Sequence, residues 1–312
     1  MSGSNQSRRS LPTFVPNDTK SYASCNMYLF VDVDIRPQLA LAAKGSRKNV
    51  NEKAVIEARS LSKRFGGLLA VDGYSLTLNS GDLVGLIGPN GAGKTTAFNL
   101  LTGVLPCSSG TIAINGRDMT GAAPHEMARK GIARTFQNIR LFDDLSVLEN
   151  VMCGGHERYS ASTFSTLLQL PSFWRAEDQL RQVSEDILER IGLGKFASSR
   201  AGDLSYGDQR RVEIGRALAG GPKALLLDEP AAGLNPSETT ELVSFIREIN
   251  KEFGIAVLVV EHDMHLVMGL CERVQVLNRG QLIAEGTPKE IQKNDAVIEA
   301  YLGTRRKGKA HA

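Results

Sequence analysis

Cysteine is scarce in this 312-residue sequence, which contains four cysteines. They lie far apart, at Cys25, Cys107, Cys153 and Cys271, with no CxxC pair and no histidine at the spacing of metal ligands. This spacing excludes a zinc-binding motif, and it differs from the dense disulfide framework of small secreted domains. We therefore expect reduced thiols and a cytosolic compartment.

The sequence also lacks a strong net charge and a long apolar run. Its 37 basic and 34 acidic residues leave a net charge of +3, so no overall field marks a nucleic-acid-binding protein. The first residues, MSGSNQSRRSLPTF, have no apolar core, and the apolar run from Met27 to Val31 is short and followed by acidic residues. We expect neither a signal peptide nor a membrane-spanning helix, so that membrane contact requires a partner protein.

The composition changes near Ala54. Residues 1–53 are rich in Ser, Asn, Lys and Arg without sustained periodicity, which predicts a mostly disordered extension. A misplaced start codon would explain these residues equally well. From Ala54 onward, apolar and polar residues alternate loosely, with turn signals at Gly66–Gly67 and at residues 79–81. This pattern predicts a small antiparallel β subdomain.

Three short, unbroken apolar runs follow, at Leu83–Ile87, Ala224–Leu227 and Ala256–Val260. Their length and continuity are typical of strands that are buried on both faces of a parallel sheet. Residues 138–220 carry helical signals, strongest from Glu177 to Ile191, and predict a helical insert. The fold class is therefore α/β, with the basic residues 304–312 expected to form a solvated tail.

The first apolar run leads directly into the sequence GPNGAGKTT. Gly88, Gly93, Lys94 and Thr95 satisfy the pattern GxxxxGK[S/T], and apolar residues at helical spacing follow. In such a loop the backbone N–H groups face phosphate oxygens, the lysine neutralises the β and γ phosphates, and the threonine hydroxyl binds Mg²⁺. The alternative is a plain glycine-rich turn, which the order strand, loop, helix disfavours. The pattern predicts a P-loop NTPase with a RecA-like sheet that binds ATP and Mg²⁺ through Gly88, Pro89, Asn90, Gly91, Ala92, Gly93, Lys94, Thr95 and Thr96.

The second apolar run ends in two acidic residues, Asp228 and Glu229. Because the carboxyl ends of parallel strands meet at one edge of a sheet, we expect both carboxylates to lie beside the phosphate loop. Asp228 is predicted to bind Mg²⁺, and Glu229 to act as the general base that polarises the attacking water. Helix capping by acidic residues is the alternative, but the presence of the phosphate loop favours the catalytic interpretation.

The segment LSYGDQ, residues 204–209, precedes an Arg-rich helical stretch. Ser205 and Asp208 fit the S-x-x-D capping box, which predicts an exposed helix N-terminus. The segment resembles the signature LSGGQ of the ATP-binding cassette (ABC) family, with departures at Tyr206 and Asp208. This resemblance implies that Ser205 and Gly207 contact the γ-phosphate of ATP held by a second subunit. A plain helix cap is the alternative.

The ABC resemblance implies roles for three more residues. Gln137 matches the loop residue that senses Mg²⁺ and the attacking water and reports to the transmembrane partner, so the implied Mg²⁺ ligands are Thr95, Gln137 and Asp228. His262, after the third apolar run, matches the histidine that hydrogen-bonds the γ-phosphate. Phe65 matches the aromatic residue that stacks on adenine, with a core aromatic as the alternative. One further departure is Asn235, which stands where an aspartate is common and implies altered communication between two ATP sites.

The resemblance covers about residues 54–303 and is closest to the ATPases of branched-chain amino acid importers, the LivG type. The stretches GIARTFQNIRLF, LSYGDQRRVEIGRAL, DEPAAGLNP and IEAYLG are similar to that type. The resemblance implies an ATP-hydrolysing subunit on the cytoplasmic face of the inner membrane. The implied partners are a second ABC ATPase, identical or related, two transmembrane permease subunits and, indirectly, a periplasmic binding protein for leucine, isoleucine and valine.

Other functions remain open from the sequence. The same ATPase could serve urea, amides or another solute, because the cargo never touches this chain. A cassette ATPase acting on nucleic acid would carry a long coiled coil between the phosphate loop and the signature, whereas 205 − 94 = 111 positions separate Lys94 from Ser205 without sustained heptads. A translation-associated cassette protein would usually carry two phosphate loops. A small-molecule kinase has no use for the signature segment.

Overall fold

The computed structural model describes residues 54–159 and 163–302. The predicted extension, residues 1–53, and the predicted tail, residues 304–312, lie outside these ranges, as does Cys25. Within the described ranges, no helix is long and apolar enough to cross a membrane.

The strands of the described residues are β1 (Ile56–Phe65), β2 (Leu68–Leu78), β3 (Leu83–Ile87), β4 (Ser109–Ile114), β5 (Arg117–Asp118), β6 (Ile132–Arg134), β7 (Ala224–Asp228), β8 (Ala256–Val260), β9 (Arg273–Asn278) and β10 (Gln281–Gly286). The helices are α1 (Lys94–Leu101), α2 (Pro124–Arg129), α3 (Val147–Tyr159), α4 (Thr163–Leu167), α5 (Pro171–Arg190), α6 (Tyr206–Ala219), α7 (Pro236–Phe253), α8 (Met264–Leu270), α9 (Pro288–Gln292) and α10 (Asp295–Leu302). Short 3₁₀ turns occupy Gly194–Phe196 and Ala201–Asp203.

An antiparallel sheet with the strand order β2-β1-β4-β5 forms the predicted β subdomain. Its strands β1 and β2 make a hairpin that turns at Gly66–Gly67. They contain 10 and 11 residues and are longer than the short strands that the sequence predicts, because bulges let the hairpin bend and continue.

The second sheet has the strand order β10-β9-β3-β8-β7-β6. Strands β9, β3, β8, β7 and β6 are parallel, and β10 pairs antiparallel with β9 at the edge. The three predicted apolar runs form β3, β7 and β8, whose residues are all buried. The prediction of a parallel core sheet is therefore confirmed.

The parallel sheet separates two hydrophobic cores. Successive side chains of a strand point to opposite faces, so Leu225 packs into one core and Leu226 into the other. One core is shared with the helices of residues 147–219, and the second is shared with α1 and the β subdomain. Burial on both faces explains why the central strands are uniformly apolar.

Helices α3 to α6 fill most of the predicted helical insert, while residues 138–146 form a loop that leads into α3. Helix α5 buries Leu180, Ser184, Ile187 and Leu188, a spacing that places them on one face. This face packs against α3 and α6. The helix begins earlier than its apolar pattern indicates, because Pro171 provides a suitable first helical residue.

The strand order determines which loops meet. Strands β3, β8, β7 and β6 are consecutive neighbours, and their carboxyl ends lie at the same edge of the sheet. The segments that follow them carry the phosphate loop, His262, the Asp228–Glu229 pair and Gln137, respectively. Residues that are far apart in the sequence are thereby brought to one edge of the sheet, the usual ligand position in an open α/β sheet.

Candidate functional site

The phosphate loop joins β3 to α1 in a backbone conformation that requires glycine at two points. Gly88 has φ 150° and Gly93 has φ 102°. A Cβ atom at Gly93 would stand 2.5 Å from the carbonyl oxygen of Ala70, and one at Gly88 would overlap the carbonyl oxygen of Leu277. Gly93 is also the N-cap of α1 and, in the described structure, no side chain caps this helix. The N–H groups at the start of α1 therefore remain available to an anion.

Lys94 is buried within this loop. Its Nζ atom donates hydrogen bonds to the carbonyl oxygens of Gly88, at 2.7 Å, and Pro89, at 3.2 Å. Burial lowers the pKa of Lys94, and the nearby carboxylates of Glu229 and Glu261 partly offset this effect by favouring the charged form. Two backbone carbonyl groups of its own loop thus hold the Lys94 side chain, while Thr95 is exposed one position further along α1.

Three side chains that were predicted to act in hydrolysis meet at Glu229. The Nε2 atom of Gln137 donates a hydrogen bond of 2.8 Å to Glu229 Oε2, and His262 Nδ1 lies 3.6 Å from Glu229 Oε1. Glu229 has φ 45°, and its N–H group donates to the carbonyl oxygen of Val260 at 2.9 Å. A non-glycine residue in this left-handed region is strained, and such strain is concentrated at functional sites.

The sequence left a helix cap as the alternative role of Asp228 and Glu229, and a core position as that of Phe65. Helix α7 is capped by Asn235, whose Oδ1 accepts from the N–H groups of Ser237 and Glu238, so Asp228 and Glu229 do not serve as its cap. The His262 side chain is 59% exposed. Phe65 is 45% exposed at the tip of the β1–β2 hairpin and does not belong to the core.

Asp228 is buried at the end of β7, close to an arginine that the sequence did not single out. The guanidinium of Arg134 lies between the rings of Phe98 and Phe136, at 4.7 and 4.8 Å, and its Nη2 is 3.5 Å from Asp228 Oδ2. Burial raises the pKa of Asp228, and Arg134 counteracts only part of this rise. Burial therefore outweighs the effect of the Arg134 guanidinium on this carboxyl group.

The signature segment begins α6, with Ser205 as the N-cap. Ser205 Oγ accepts from the N–H group of Asp208 at 3.2 Å and donates to Asp208 Oδ2 at 2.9 Å, which confirms the predicted cap. A Cβ atom at Gly207 would meet open space. These bonds hold the Ser205 side chain at the start of α6. Tyr206, the departure from the signature, donates from its hydroxyl to the carbonyl oxygen of Ala232 at 3.1 Å.

A buried ion pair on α6 holds the loop that contains Gln137. Arg210 Nη1 donates to Glu213 Oε2 at 2.7 Å and to the carbonyl oxygen of Phe136 at 2.9 Å. Arg210 Nη2 donates to the carbonyl oxygen of Gln137 at 2.9 Å. The helix that starts with the signature is thus bonded directly to the backbone of a predicted catalytic residue.

Sequence reasoning missed Arg134, Arg210 and Glu261, all of which contact predicted site residues. Glu261 immediately follows the buried strand β8, just as Glu229 follows β7. This position in the sequence is the signal by which Glu261 could have been predicted. Arg134 and Arg210 lie in stretches whose family resemblance was noted, but only the three-dimensional contacts reveal what they bind.

Known proteins are similar to this chain in both sequence and fold. The profile of the family described as ABC transporter matches residues 71–232. The chain is 47% identical over 249 residues to the high-affinity branched-chain amino acid transport ATP-binding protein LivG of Salmonella typhimurium, covering 80% of this chain and 98% of that protein. The chain belongs to the ABC transporter family. As an ABC ATPase, it binds and hydrolyses ATP.

Another relative, a second family profile and a solved structure are also similar to this chain. The ABC ATPase is 44% identical over 251 residues to the corresponding protein BraF of Pseudomonas aeruginosa, covering 80% of this chain and 98% of BraF. A second family profile, described as branched-chain amino acid ATP-binding cassette transporter, matches residues 281–307. The solved structure of the ADP conformation of MJ1267, an ATP-binding cassette of an ABC transporter, is similar with a TM-score of 0.70 and 33% identity, covering 80% of this chain and 99% of that one. The predicted family and fold class are confirmed.

Proposed function

We propose that this ABC ATPase energises the uptake of branched-chain amino acids, namely leucine, isoleucine and valine. The proposed assembly contains two transmembrane permease subunits and a second ABC ATPase, identical or related, with a periplasmic solute-binding protein that acts indirectly. The chain would bind peripherally at the cytoplasmic face of the inner membrane. The similarity to LivG and BraF along 80% of the chain supports this cargo, together with the family match at residues 281–307.

ATP would bind with its phosphates in the loop from Gly88 to Thr96. The open N–H groups at the start of α1 and the buried ammonium of Lys94 supply positive charge to the phosphate oxygens. Lys94 would exchange its two carbonyl partners for phosphate oxygens, which are stronger acceptors because they are charged. The exposed ring of Phe65 would stack on adenine, which requires an aromatic face but no hydroxyl group.

The residues proposed as Mg²⁺ ligands fit this ion. Thr95, Asp228 and Gln137 offer hydroxyl, carboxylate and amide oxygens, the hard donors that Mg²⁺ prefers, and phosphates commonly complete such a set. Burial raises the pKa of Asp228, and the positive charge of a bound Mg²⁺ would favour its carboxylate form. When bound, Mg²⁺ supplies positive charge that stabilises the developing negative charge on the phosphates.

Hydrolysis would use the cluster around Glu229. The Glu229 carboxylate would accept a proton from the attacking water, while Gln137 orients the carboxylate through the 2.8 Å bond from its Nε2 atom. His262, exposed at the same edge of the sheet, would donate a hydrogen bond to the γ-phosphate. The convergence of Gln137 and His262 on the Glu229 carboxylate is the observation that carries this proposal.

A second ATPase subunit would complete each site. Ser205 and Gly207 begin α6 on an exposed or half-buried surface and would contact the γ-phosphate of ATP held by the partner. ATP would then favour the closed pair because it binds both subunits, and loss of the γ-phosphate would release them. The permease subunits would follow this motion through the helical insert and the Gln137 loop.

Glu229→Gln tests the assignment of the general base. The variant should bind ATP and associate with its partner, but its turnover should fall by about 10²–10⁴-fold because the amide cannot accept the proton. Glu248→Gln is the matched control, since Glu248 is an exposed carboxylate on α7 and should leave turnover unchanged. Wild-type turnover in Glu229→Gln would contradict the base assignment.

The cargo needs a separate experiment. Uptake of labelled leucine, urea and amides is compared in cells with and without the gene, and the loss of leucine uptake alone is the expected result. Leucine uptake that does not depend on this chain would reject the branched-chain cargo and leave the ATPase assignment intact. An ATPase activity that requires DNA would reject the transport assignment as well.

A further inference from the structure

Glu261 is a buried carboxylate between two loops of the site, with an exposed fraction of 1%. Its Oε1 atom accepts from the N–H group of Ala231 at 2.9 Å. Its Oε2 atom accepts from the N–H groups of His262 at 2.9 Å and Asp263 at 3.1 Å. One carboxylate therefore joins the segment that follows Glu229 to the segment that carries His262.

The backbone of Glu261 anchors the same side chain to the centre of the sheet. Its N–H group donates to the carbonyl oxygen of Leu86 at 3.3 Å, one residue before the end of β3, which leads into the phosphate loop. The Oε2 atom also lies 3.8 Å from His262 Nδ1, and Glu229 Oε1 lies 3.6 Å from the same nitrogen. The imidazole is thus placed between two carboxylates, one of which is fixed by three N–H bonds.

A buried carboxylate is costly unless hydrogen bonds satisfy it, and only a carboxylate can accept at both ends here. Glutamine has the same shape but offers one acceptor and one NH₂ donor. Whichever way its amide is turned, an NH₂ group would face a backbone N–H group, at Ala231 or at the His262–Asp263 pair. The site therefore requires glutamate because both of its side-chain oxygens accept hydrogen bonds, and not because of its size.

We propose that Glu261 is a positioning residue for ATP hydrolysis, which sets the distance between His262 and Glu229 by holding the backbones of both loops. It acts through His262 and touches neither the phosphate nor the attacking water. This proposal rests on the roles proposed above for Glu229 and His262.

The test is a double-mutant cycle in the purified full chain, with Glu261→Gln, His262→Ala and the double variant. Steady-state kcat, the Kd for ATP and the thermal midpoint are measured for each protein. Glu261→Gln should lower kcat by about ten- to a hundredfold, since small misplacements of catalytic groups have effects of this size, while the Kd for ATP stays within about twofold. In the His262→Ala background, Glu261→Gln should change kcat by no more than about twofold.

Asp82→Asn is the matched control. Asp82 also accepts a backbone N–H bond, from Asn79 at 2.9 Å, but it lies just before β3 at the opposite edge of the sheet. Its replacement should leave kcat unchanged, even if the thermal midpoint falls. A comparable fall in kcat in Asp82→Asn would show that general destabilisation explains the Glu261 effect.

Two outcomes of the double-mutant cycle would overturn the proposal. One is a folded Glu261→Gln protein with wild-type kcat, and the other is a full, independent loss of kcat when Glu261→Gln is added to His262→Ala. If Glu261→Gln does not fold, Glu261→Asp replaces it, because aspartate keeps the charge but is one methylene too short to bridge both loops. Reduced kcat with retained ATP binding then supports the proposal, and wild-type kcat overturns it. Glu229→Gln, measured alongside, reports separately on the base assignment.

Discussion

Replacing Arg210 with methionine should destabilise the folded ABC ATPase by about 3–5 kcal/mol, the usual cost of breaking a buried ion pair from one side. The side chains of Arg210 and Glu213 are 0% and 2% exposed, so the variant leaves the Glu213 carboxylate buried without its cation. The carbonyl oxygens of Phe136 and Gln137 lose their donors at the same time. Methionine is long and flexible enough to fill much of the space, so the lost polar contacts dominate the cost.

The double variant Arg210→Met with Glu213→Leu separates stability from activity. Removing both charges should recover most of the lost stability, because apolar replacement of a whole buried ion pair is often neutral or stabilising. The Gln137 loop nevertheless remains without its donor from α6. Turnover should therefore stay low in a protein that is again stable.

Urea denaturation followed by circular dichroism gives the free energy of unfolding, and steady-state ATP hydrolysis gives the turnover. Arg211→Met is the matched control, since Arg211 is partly exposed and lies 3.6 Å from an exposed Glu241, a pair worth at most about 1 kcal/mol. An Arg210→Met protein within about 1 kcal/mol of wild type would refute the ion-pair reasoning. Wild-type turnover in the double variant would refute the link from α6 to Gln137.

Two further predictions concern single side chains. Tyr206→Phe removes the exposed 3.1 Å hydrogen bond to the Ala232 carbonyl oxygen and should lower the free energy of unfolding by about 1 kcal/mol or less. Turnover should nevertheless fall severalfold, because this bond links the signature segment to the loop after Glu229. Unchanged turnover would contradict that link. The second prediction concerns Cys271, whose pKa burial raises to about 12. At pH 8 only about one thiol in ten thousand would then be the reactive thiolate. Peptide mass spectrometry should find Cys271 unmodified after maleimide treatment of the folded protein, whereas its rapid modification would contradict the burial.

The parts of the fold that could be predicted are the strands in which every successive residue is buried. Strands β3, β7 and β8 are buried on both faces, and this burial leaves an unbroken apolar run in the sequence. The position of the site followed from the same runs, because parallel strands deliver their carboxyl ends to one edge. Asp228, which directly follows the run Ala224–Leu227, was therefore predictable from its position, whereas the role of His262 came from the family resemblance.

The remaining elements lack such a local signal. Strand β6 has three residues, and the half-buried β10 shows neither a continuous apolar run nor a regular alternation. The bonds that organise the site are also long-range, since 73 positions separate Arg210 from Gln137 and 30 separate Glu261 from Ala231. Periodicity reports on neighbours three or four positions apart, so it carries no information about these pairs. The extension at residues 1–53 stays a prediction.

Helix α6 is bonded to Gln137 and through it to Glu229, whereas the described bonds of Lys94 stay within its own loop. Lys94 is held by Gly88 and Pro89 within its own loop, and these bonds do not depend on where α6 lies. Gln137, by contrast, bonds Glu229 with its side chain and Arg210 with its carbonyl oxygen, so a displacement of α6 is transmitted to the carboxylate through two hydrogen bonds. A partner that moves α6 would therefore change the orientation of the proposed general base while ATP remains bound. In the mechanism proposed above, nucleotide binding and hydrolysis would then be controlled separately.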